Sequence, residues 1–431
     1  MLHDNLSVNS AGRLTVAGFD TVELASSYGT PLYLLDEDRV RERCRSYIRA
    51  MGIAFGGASR PLFASKALSF TGIYRIMAEE KMAVDVVSSG EIYTALKAGF
   101  PAADMYFHGN NKTDADISYA LENGVGYFIV DNAEELAALS ARAGEAGIKQ
   151  KILLRLTPGI DPHTFSAVNT GQLDCQFGVP IETGQAREFV RLALDAPNVE
   201  LCGYHCHIGS QIFDWSPFRD AADIMLSFIA GIKKEFGYEA AVLNLGGGFG
   251  VRYVESDPHL DIEGSILRLG RHIDGACARL GLNKPAILME PGRSIVADSG
   301  VTLYTAGGVK TVKGFRDYVT VDGGMADDPR YALYSSAYTV VNASRAASPA
   351  DFECTVAGRC CETGDRIQEN VLIAKPRRGD VIAILSTGAY NYSMASNYNR
   401  LCRPPIVLLS SRGAALAVRR ESFEDLTVCD L

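Results

Sequence analysis

The sequence predicts an α/β protein in which a (β/α)8 barrel is joined to a separate all-β domain. From about residue 60 to residue 295, eight short β-rich runs alternate with longer amphipathic stretches. This is the alternation that a closed parallel barrel requires, because each strand must return through a helix. The glycines of this stretch fit neither GxGxxG nor GxxxxGK[ST], so doubly wound nucleotide-binding folds lose their usual support. After residue 300, β-rich runs separated by turn residues indicate a β domain.

The eight β-rich runs are short and apolar, which is typical of buried parallel strands. The stretches between them carry apolar residues three and four positions apart and predict amphipathic helices, as at 71–80, 91–99, 133–147 and 218–236. The runs are PLFAS (61–65), AVDVVS (83–88), DMYFHG (104–109), YFIVD (127–131), ILLRL (152–156), LCGYHCHIG (201–209), AVLNLGGG (241–248) and AILMEPG (286–292).

Both ends of the chain are predicted to build the β domain. RLTVAGFD (13–20) and TPLYLLD (30–36) read as strands and precede the barrel. We therefore expect N-terminal strands of the β domain in 1–38, the barrel in 39–298 and the C-terminal β domain in 299–431. The β-rich runs of this last part are VTLYTAGGVKTV, DYVTVDGG, FECTVAG, DVIAILSTGAY, PIVLLS and AALAVRR.

The composition is that of an ordinary globular protein. The chain has 431 residues, 47% hydrophobic and 22% charged, which is enough to bury a sizeable core. Forty-two Lys and Arg residues against 51 Asp and Glu residues give a net charge of −9 without a basic run, so nucleic acid and anionic membranes are poor candidate partners. The chain shows neither a secretory signal nor a stretch of ~20 apolar residues, so we expect a soluble cytoplasmic protein.

The ten cysteines are expected to be reduced thiols. They form no CxxC pair, and half of them lie in apolar segments. The exception is the adjacent pair Cys360 and Cys361, which lies in a polar segment.

Polar and glycine residues gather where the predicted barrel strands end, which is where barrels of this type place their active sites. Lys66 directly follows the apolar run at 62–64. A lysine there is costly unless it is paired or serves as an amine of lowered pKa, and the alternative is a surface lysine whose stem covers the strand end.

A second group of residues predicts a phosphate site. Gly246, Gly247 and Gly248 leave room for backbone N–H groups to approach an anion, and Arg293 supplies a fixed positive charge. The alternative for the glycines is a plain turn.

His205 and His207 are two residues apart and would share one face of a strand. Neither a carboxylate nor a third histidine lies at a supporting spacing, so we expect no metal and favour a core or ring-stacking role. His207 is followed by Gly209 and Ser210, which suits a flat cofactor that carries a phosphate.

Glu290 follows the apolar run at 286–289, where an isolated carboxylate would be costly. A protonated ring nitrogen would be its natural partner, and an ion pair with Arg293 is the alternative. A reactive lysine, a phosphate cradle, a stacking imidazole and such a carboxylate together describe a site for pyridoxal 5'-phosphate.

The chain resembles the fold-type III pyridoxal-phosphate-dependent decarboxylases, which have an alanine racemase-like fold, and within them the enzymes that act on diaminopimelate. The resemblance runs nearly from end to end. The motifs that carry it are TPLYLLD (30–36), FASKA (63–67), DVVSSGE (85–91), FHGNNKT (107–113), HCHIGSQI (205–212), LNLGGGFG (243–250), EPGRSIVADSG (290–300), VDGGMADDPRYALY (321–334), CETGD (361–365) and GAYNYSMASNYN (388–399).

The resemblance assigns roles around the cofactor. It implies that Lys66 forms the Schiff base, that His207 stacks on the ring and that Glu290 meets the ring nitrogen. The residues that it implies for the rest of the cofactor are Ser210, Gly247, Gly248, Gly292, Arg293 and Tyr390.

The resemblance also implies a substrate site and a homodimer. Cys361 would be the proton donor, and the segment Cys361-Glu362 would complete the active site of the partner subunit. The implied substrate contacts are Arg293, Arg330, Tyr334, Glu362 and Tyr390. Departures from the family pattern are DCQFG at 174–178 for D-S-K-F-G, Pro329-Arg330-Tyr331 for I-R-P, and Thr363 for Ser.

The expected activity is decarboxylation of meso-2,6-diaminopimelate to L-lysine and CO2, the last step of lysine biosynthesis. Two arginines and a carboxylate, Arg293, Arg330 and Glu362, suit a substrate end with both a carboxylate and an amine. The alternatives are a decarboxylase of another basic amino acid, such as D- or L-lysine, ornithine or arginine, and a non-catalytic regulatory relative.

Overall fold

The computed structural model describes residues 1–160 and 174–431. These residues form two compact units. The barrel unit comprises Arg43–Gly250 and Leu260–Gly292, and the β unit comprises Met1–Glu42, Val251–His259 and Arg293–Leu431. The boundaries drawn from the sequence, after residues 38 and 298, remain predictions.

The N-terminal part of the β unit begins with an antiparallel sheet of three short strands and continues with a capped helix. The side chain of Asp20 accepts hydrogen bonds from the backbone N–H groups of Val22 and Glu23 and so starts the helix. The elements are β1 (Leu6–Val8), β2 (Leu14–Val16), β3 (Phe19–Asp20), α1 (Thr21–Tyr28), β4 (Leu32–Asp36) and α2 (Glu37–Ala54), and the unit division falls within α2.

Eight parallel strands close into a barrel, which confirms the predicted (β/α)8 fold. Each strand pairs with the next in sequence except that β10 adds only to β9, and the last strand pairs back to the first through Leu288 opposite Arg60. The strands are β5 (Arg60–Ala64), β6 (Ala83–Val86), β7 (Met105–Phe107), β8 (Tyr127–Val130), β9 (Gln150–Thr157), β10 (Val179–Pro180), β11 (Val199–His205), β12 (Val242–Asn244) and β13 (Ala286–Met289).

The helices between the barrel strands follow the predicted apolar periodicity. Thr113 and Asp116 form a reciprocal capping box at the start of one helix, and Gly237 ends another in the left-handed conformation. The helices are α3 (Thr71–Glu79), α4 (Ser89–Lys97), α5 (Asp114–Glu122), α6 (Ala133–Glu145), α7 (Gln185–Asp195), α8 (Ser216–Phe236) and α9 (Ile262–Leu280).

Side chains fill the barrel interior. Tyr106 stacks on Tyr127 with parallel rings whose centroids are 4.6 Å apart. The buried residues of this core layer come from six strands and are Leu62, Ala83, Tyr106, Ile129, Leu153 and Leu288. The barrel is therefore a packed core and not a pore.

Several strands end earlier than the sequence predicted. The run at 201–209 is a strand only to His205, and the run at 241–248 only to Asn244. A glycine explains the second difference, because Gly246 has a φ value of +67° and cannot continue an extended strand. His207 consequently lies beyond the strand and does not share a strand face with His205.

The C-terminal part of the β unit pairs with the N-terminal strand β4, as the sequence predicted, whereas β1, β2 and β3 form a sheet of their own. β4 pairs antiparallel with β14 and parallel with β20. The strands are β14 (Gly300–Val312), β15 (Arg316–Val321), β16 (Val340–Asn342), β17 (Phe352–Ala357), β18 (Arg366–Ile373), β19 (Val381–Leu385), β20 (Ile406–Ser410) and β21 (Gly413–Val418). The helices are α10 (Arg293–Val296), α11 (Arg330–Tyr334), α12 (Asn391–Met394) and α13 (Phe423–Thr427).

None of the helices in the described part of the chain combines the length and the apolar character needed to cross a bilayer. The cytoplasmic location expected from the sequence stays a prediction.

Two adjacent acidic side chains are buried in the β unit. Asp327 accepts hydrogen bonds from the Tyr304 hydroxyl and the Gly324 N–H, both at 2.9 Å. Both carboxyl oxygens of Asp328 are buried without a hydrogen-bond partner among the described residues. Burial raises the pKa of Asp327 to about 7, and burial together with Asp327 raises the pKa of Asp328 to about 8.

We expect Asp328→Asn to flatten the pH dependence of stability. The buried carboxyls keep their protons at pH values where the unfolded chain has released them, so their contribution is complete below about pH 4 and is lost as the pH rises toward 8. The fall in the free energy of unfolding between pH 5 and pH 8 should shrink by roughly 1–3 kcal/mol in the variant. Urea unfolding at several pH values measures it, with Asp351→Asn, at an exposed position, as the control. Equal slopes for the variant and the wild type would contradict the assignment.

Candidate active site

Lys66 presents an accessible amine at the end of the first barrel strand. It lies in a single 3-10 turn, Ser65–Ala67, directly after β5. Ser65 and Ala67 are buried, whereas Lys66 is exposed and makes no hydrogen bond or ion pair with any other described residue. The turn therefore fixes the backbone and leaves the amine free to react.

A buried carboxylate holds the turn that carries Lys66. Asp85, on β6, accepts a hydrogen bond from the Ser65 backbone N–H at 3.1 Å. Burial raises the pKa of Asp85 to about 6, and His108 and Lys66 act against this rise. The sequence analysis did not single out Asp85, because AVDVV reads as an ordinary buried strand.

Glu290 is a buried carboxylate that receives hydrogen bonds from two neighbouring strands. The Nδ2 group of Asn244 donates to Oε1 at 2.7 Å, and Nε2 of His205 lies 3.2 Å from Oε2. Nε2 of His108 lies 2.8 Å from Oε1, without the alignment of a hydrogen bond. The three partners extend from β7, β11 and β12, which are far apart in sequence.

These neighbours keep Glu290 ionised. Burial alone raises the pKa of Glu290, but His108 and His205 outweigh it and hold the pKa well below its usual range. Burial lowers the pKa of His205 to about 4. At neutral pH, His205 is therefore a neutral donor to an anionic carboxylate.

The tertiary structure supplies His205 with the carboxylate and the third histidine that its sequence spacing lacked. One ligand-type atom each of His108, His205 and Glu290 lies within 4.8 Å of the others. The Asn244 amide and the His205 ring each donate a hydrogen bond to one of the carboxylate oxygens of Glu290. We therefore interpret the cluster as a hydrogen-bonded anion.

The glycines after β12 form a close-packed backbone segment. A Cβ on Gly247 would lie 2.1 Å from the Glu290 carbonyl oxygen, and one on Gly248 would lie 2.5 Å from the Gly209 carbonyl oxygen. The N–H groups of Gly247 and Gly248 donate to no acceptor among the described residues. Both N–H groups are therefore open to an anion, and the phosphate cradle stays a prediction.

The other predicted cofactor residues of the barrel unit also follow strand ends. His207 and Ser210 come after β11, and both are half-buried. Burial, together with Lys66 and Arg155, lowers the pKa of His207 well below its usual value, so its ring is neutral. A Cβ on Gly292, after β13, would lie 2.8 Å from the Cβ of Ala64.

The β unit brings four of the predicted substrate residues together. The guanidinium of Arg293 donates to the Tyr253 hydroxyl at 2.8 Å and lies 4.9 Å from the ring centroid of Tyr390. The guanidinium of Arg330 lies 5.1 Å from the same ring and 4.5 Å from that of Tyr334. Arg330 is buried, its Nη1 atom lies 3.9 Å from the sulfur of Met394, and its guanidinium forms no ion pair with a carboxylate of a described residue. This is an arrangement suited to an anionic ligand.

Cys361 and Glu362 lie on a separate loop between β17 and β18. The Cys361 N–H donates to Oδ1 of Asn399 at 2.7 Å, and the Tyr398 hydroxyl donates to Oε2 of Glu362 at 3.2 Å. Cys361 is exposed, whereas Cys360 is buried and burial raises the pKa of its thiol to about 11. Of the two thiols, Cys361 is the one available for chemistry.

Comparison with known proteins gives consistent matches along the whole chain. Residues 37–297 match the family described as pyridoxal-dependent decarboxylase, pyridoxal binding domain. The diaminopimelate decarboxylase of Bacillus subtilis is 42% identical over 430 residues, covering 100% of this chain and 98% of that protein. That of Staphylococcus aureus is 41% identical over 426 residues, covering 98% of each. The crystal structure of diaminopimelate decarboxylase from M. jannaschii in complex with L-lysine has a TM-score of 0.91 at 32% identity, covering 99% of this chain and 98% of that one.

We expect Gly247→Ala to lower both stability and affinity for pyridoxal 5'-phosphate. The new methyl group would displace the backbone at Glu290, at a cost of roughly 1–3 kcal/mol in unfolding free energy. Gly231→Ala is the matched control, because a Cβ at this position of α8 meets nothing within 4 Å. Alanine is also more favourable than glycine inside a helix, so this variant should not lose stability. Thermal unfolding and cofactor titration measure both effects. If Gly247→Ala binds the cofactor with the affinity of the wild type, the glycines are not part of the cofactor site.

Proposed function

This chain belongs to the diaminopimelate decarboxylase family of pyridoxal-dependent decarboxylases, and from that premise we propose that it converts meso-2,6-diaminopimelate into L-lysine and CO2. The family resemblance predicted from the sequence motifs is confirmed. The observation that carries the proposal is the accessible amine of Lys66 on the same barrel rim as the buried, ionised Glu290. The reaction would be the last step of lysine biosynthesis.

The residues of the barrel rim fit pyridoxal 5'-phosphate. Lys66 would anchor it covalently, and His207 would offer a neutral flat ring for stacking. The open amides of Gly247 and Gly248, with Ser210, would hold its phosphate region. Gly292, Arg293 and Tyr390 are the further cofactor contacts that the family resemblance implies. When bound, this cofactor supplies a ring that accepts the electron pair released as CO2 leaves.

Glu290 has the properties needed beside a protonated ring nitrogen. Its donors keep it anionic despite burial, and each carboxylate oxygen has a second lone pair for a further N–H donor. A neutral acid at this position would not hold the ring nitrogen protonated. The role of Glu290 is therefore to maintain the charge state that favours loss of CO2.

The distal end of the substrate is assigned to the residues of the β unit. The guanidinium of Arg330, which is buried and forms no ion pair with a described residue, would receive the distal carboxylate together with Arg293. Glu362 would receive the distal amine, and Tyr334 and Tyr390 would enclose the chain of the substrate. A monoacid such as lysine would leave a buried guanidinium unpaired, which disfavours it as a substrate.

Cys361 is the proposed proton donor. Its thiol would deliver a proton to the carbon that has lost CO2, and the resulting thiolate would be reprotonated from solvent. We propose a homodimer in which the loop that carries Cys361 and Glu362 completes the active site of the partner subunit. Retention of Lys66, Glu290 and Cys361 speaks against a non-catalytic regulatory relative.

The substrate assignment is tested by a turnover assay with meso-diaminopimelate, L-lysine, D-lysine and ornithine. Meso-diaminopimelate should have the highest kcat/KM. Arg330→Ala should mainly raise KM and remove about 2–4 kcal/mol of transition-state binding for meso-diaminopimelate, because the distal carboxylate loses its partner. Preference of the wild type for a basic monoacid would disprove the substrate, and an unchanged kcat/KM in Arg330→Ala would remove Arg330 from the site.

Subunit mixing tests the shared site. Lys66→Ala and Cys361→Ala should each be nearly inactive, but in a mixed dimer one site collects both defects and the other neither. Random exchange makes half of the dimers mixed, so about a quarter of wild-type activity should return. Mass spectrometry confirms the exchange. Recovery of no activity after confirmed exchange would mean that each chain completes its own site.

A further inference from the structure

Asn244 is a fully buried polar side chain, at 0% exposure, and the roles proposed so far use only its contact with Glu290. It is the last residue of β12 and comes directly before Leu245 and the glycine segment. The strand register places it opposite His205 on β11 and Leu288 on β13. Asn244 therefore lies between the strand that supplies a donor to Glu290 and the strand that precedes Glu290.

The two polar atoms of the Asn244 side chain contact two different parts of the proposed cofactor site. Its Nδ2 group donates to Oε1 of Glu290 at 2.7 Å, and its Oδ1 atom accepts from the Gly246 N–H at 2.9 Å. The orientation of the amide is determined by these partners, because the reverse would set an N–H against an N–H and a carbonyl oxygen against a carboxylate.

A backbone hydrogen bond closes the same group of residues. The Glu290 N–H donates to the Gly246 carbonyl oxygen at 2.9 Å. Gly246 is thus bound from both sides, by Asn244 at its N–H and by Glu290 at its carbonyl. The contact from Asn244 to the carboxylate is short and charge-assisted, the stronger class of hydrogen bond.

We infer that Asn244 is a positioning residue that sets the carboxylate of Glu290 and the glycine cradle at Gly246–Gly248 in one fixed arrangement. Through one amide, it orients both the anion proposed to meet the ring nitrogen of the cofactor and the backbone proposed to hold its phosphate. This inference rests on the proposed function. His205 also donates to Glu290, but among the described residues Asn244 is the side chain that reaches both parts.

Two substitutions separate the two contacts. Asn244→Asp keeps the acceptor for the Gly246 N–H and replaces the donor to Glu290 with a carboxyl oxygen that repels it, whereas Asn244→Ala removes both contacts. The matched control is Asn342, a buried asparagine of the β unit, 1% exposed, whose Nδ2 group donates to the Ala374 carbonyl and to Oδ2 of Asp380. Asn342→Asp and Asn342→Ala show how much stability the same two changes remove at a buried position outside the proposed site.

The experiment measures dissociation constants of the apoprotein for pyridoxal 5'-phosphate and for pyridoxal, which lacks the phosphate. The ratio of the dissociation constant for pyridoxal to that for pyridoxal 5'-phosphate measures how much the glycine cradle contributes to phosphate binding. Asn244→Asp should weaken both ligands roughly 10- to 100-fold and keep the ratio of the wild type, and Asn244→Ala should weaken both and reduce the ratio at least tenfold. The Asn342 variants should change unfolding temperature but neither constant.

Each other result has a definite meaning. A wild type that does not bind pyridoxal 5'-phosphate would refute the proposed function itself. If the wild type binds pyridoxal 5'-phosphate, three results would overturn the role of Asn244 alone. These are an unchanged affinity in Asn244→Asp, an unchanged ratio in Asn244→Ala, and dissociation constants that rise equally in the Asn342 variants. If Asn244→Ala does not fold, Asn244→Asp decides the question through its affinity for pyridoxal 5'-phosphate.

Discussion

Closure of the parallel sheet is the constraint on which the rest of the barrel unit depends. β13 pairs with β5 through Leu288 opposite Arg60, and the Ala64 N–H donates to the Pro291 carbonyl oxygen at 3.1 Å. This contact brings the end of the last strand beside the end of the first. Lys66 and Glu290, which lie at opposite ends of the barrel sequence, consequently share one rim. A sheet left open between these two strands would separate the reactive amine from the carboxylate.

The rim holds a buried negative charge, and the barrel stabilises it with donors from neighbouring strands. An isolated carboxylate in this setting would take up a proton, because burial favours the neutral form. Asn244 and His205 donate to Glu290 instead, and His205 remains neutral. The same rim keeps Lys66 exposed on a three-residue turn whose backbone is held by Asp85. Rigid backbone and a free side chain are thus combined at one position.

Local signals predicted most of the elements, and the exceptions have physical explanations. The eight barrel strands and the long helices follow from apolar periodicity. β16 and β18 were not predicted, since the first has three residues and the second, RIQENVLI, mixes charged and apolar residues. The strands that end at His205 and Asn244 were predicted too long, because apolar residues such as Ile208 and Leu245 continue past these ends.

The sequence by itself determined the alternation of strands and helices, the joining of both chain ends in one β domain, and the membership of Lys66, His207, Glu290 and the glycines in a rim of polar residues. These follow from residue type and from position relative to the nearest strand. Only the tertiary structure decided the partners of Glu290. His108, His205 and Asn244 come from three strands separated by long helical connections. Their spacing in sequence carries no information about contact, because sheet closure, and not chain proximity, brings them together.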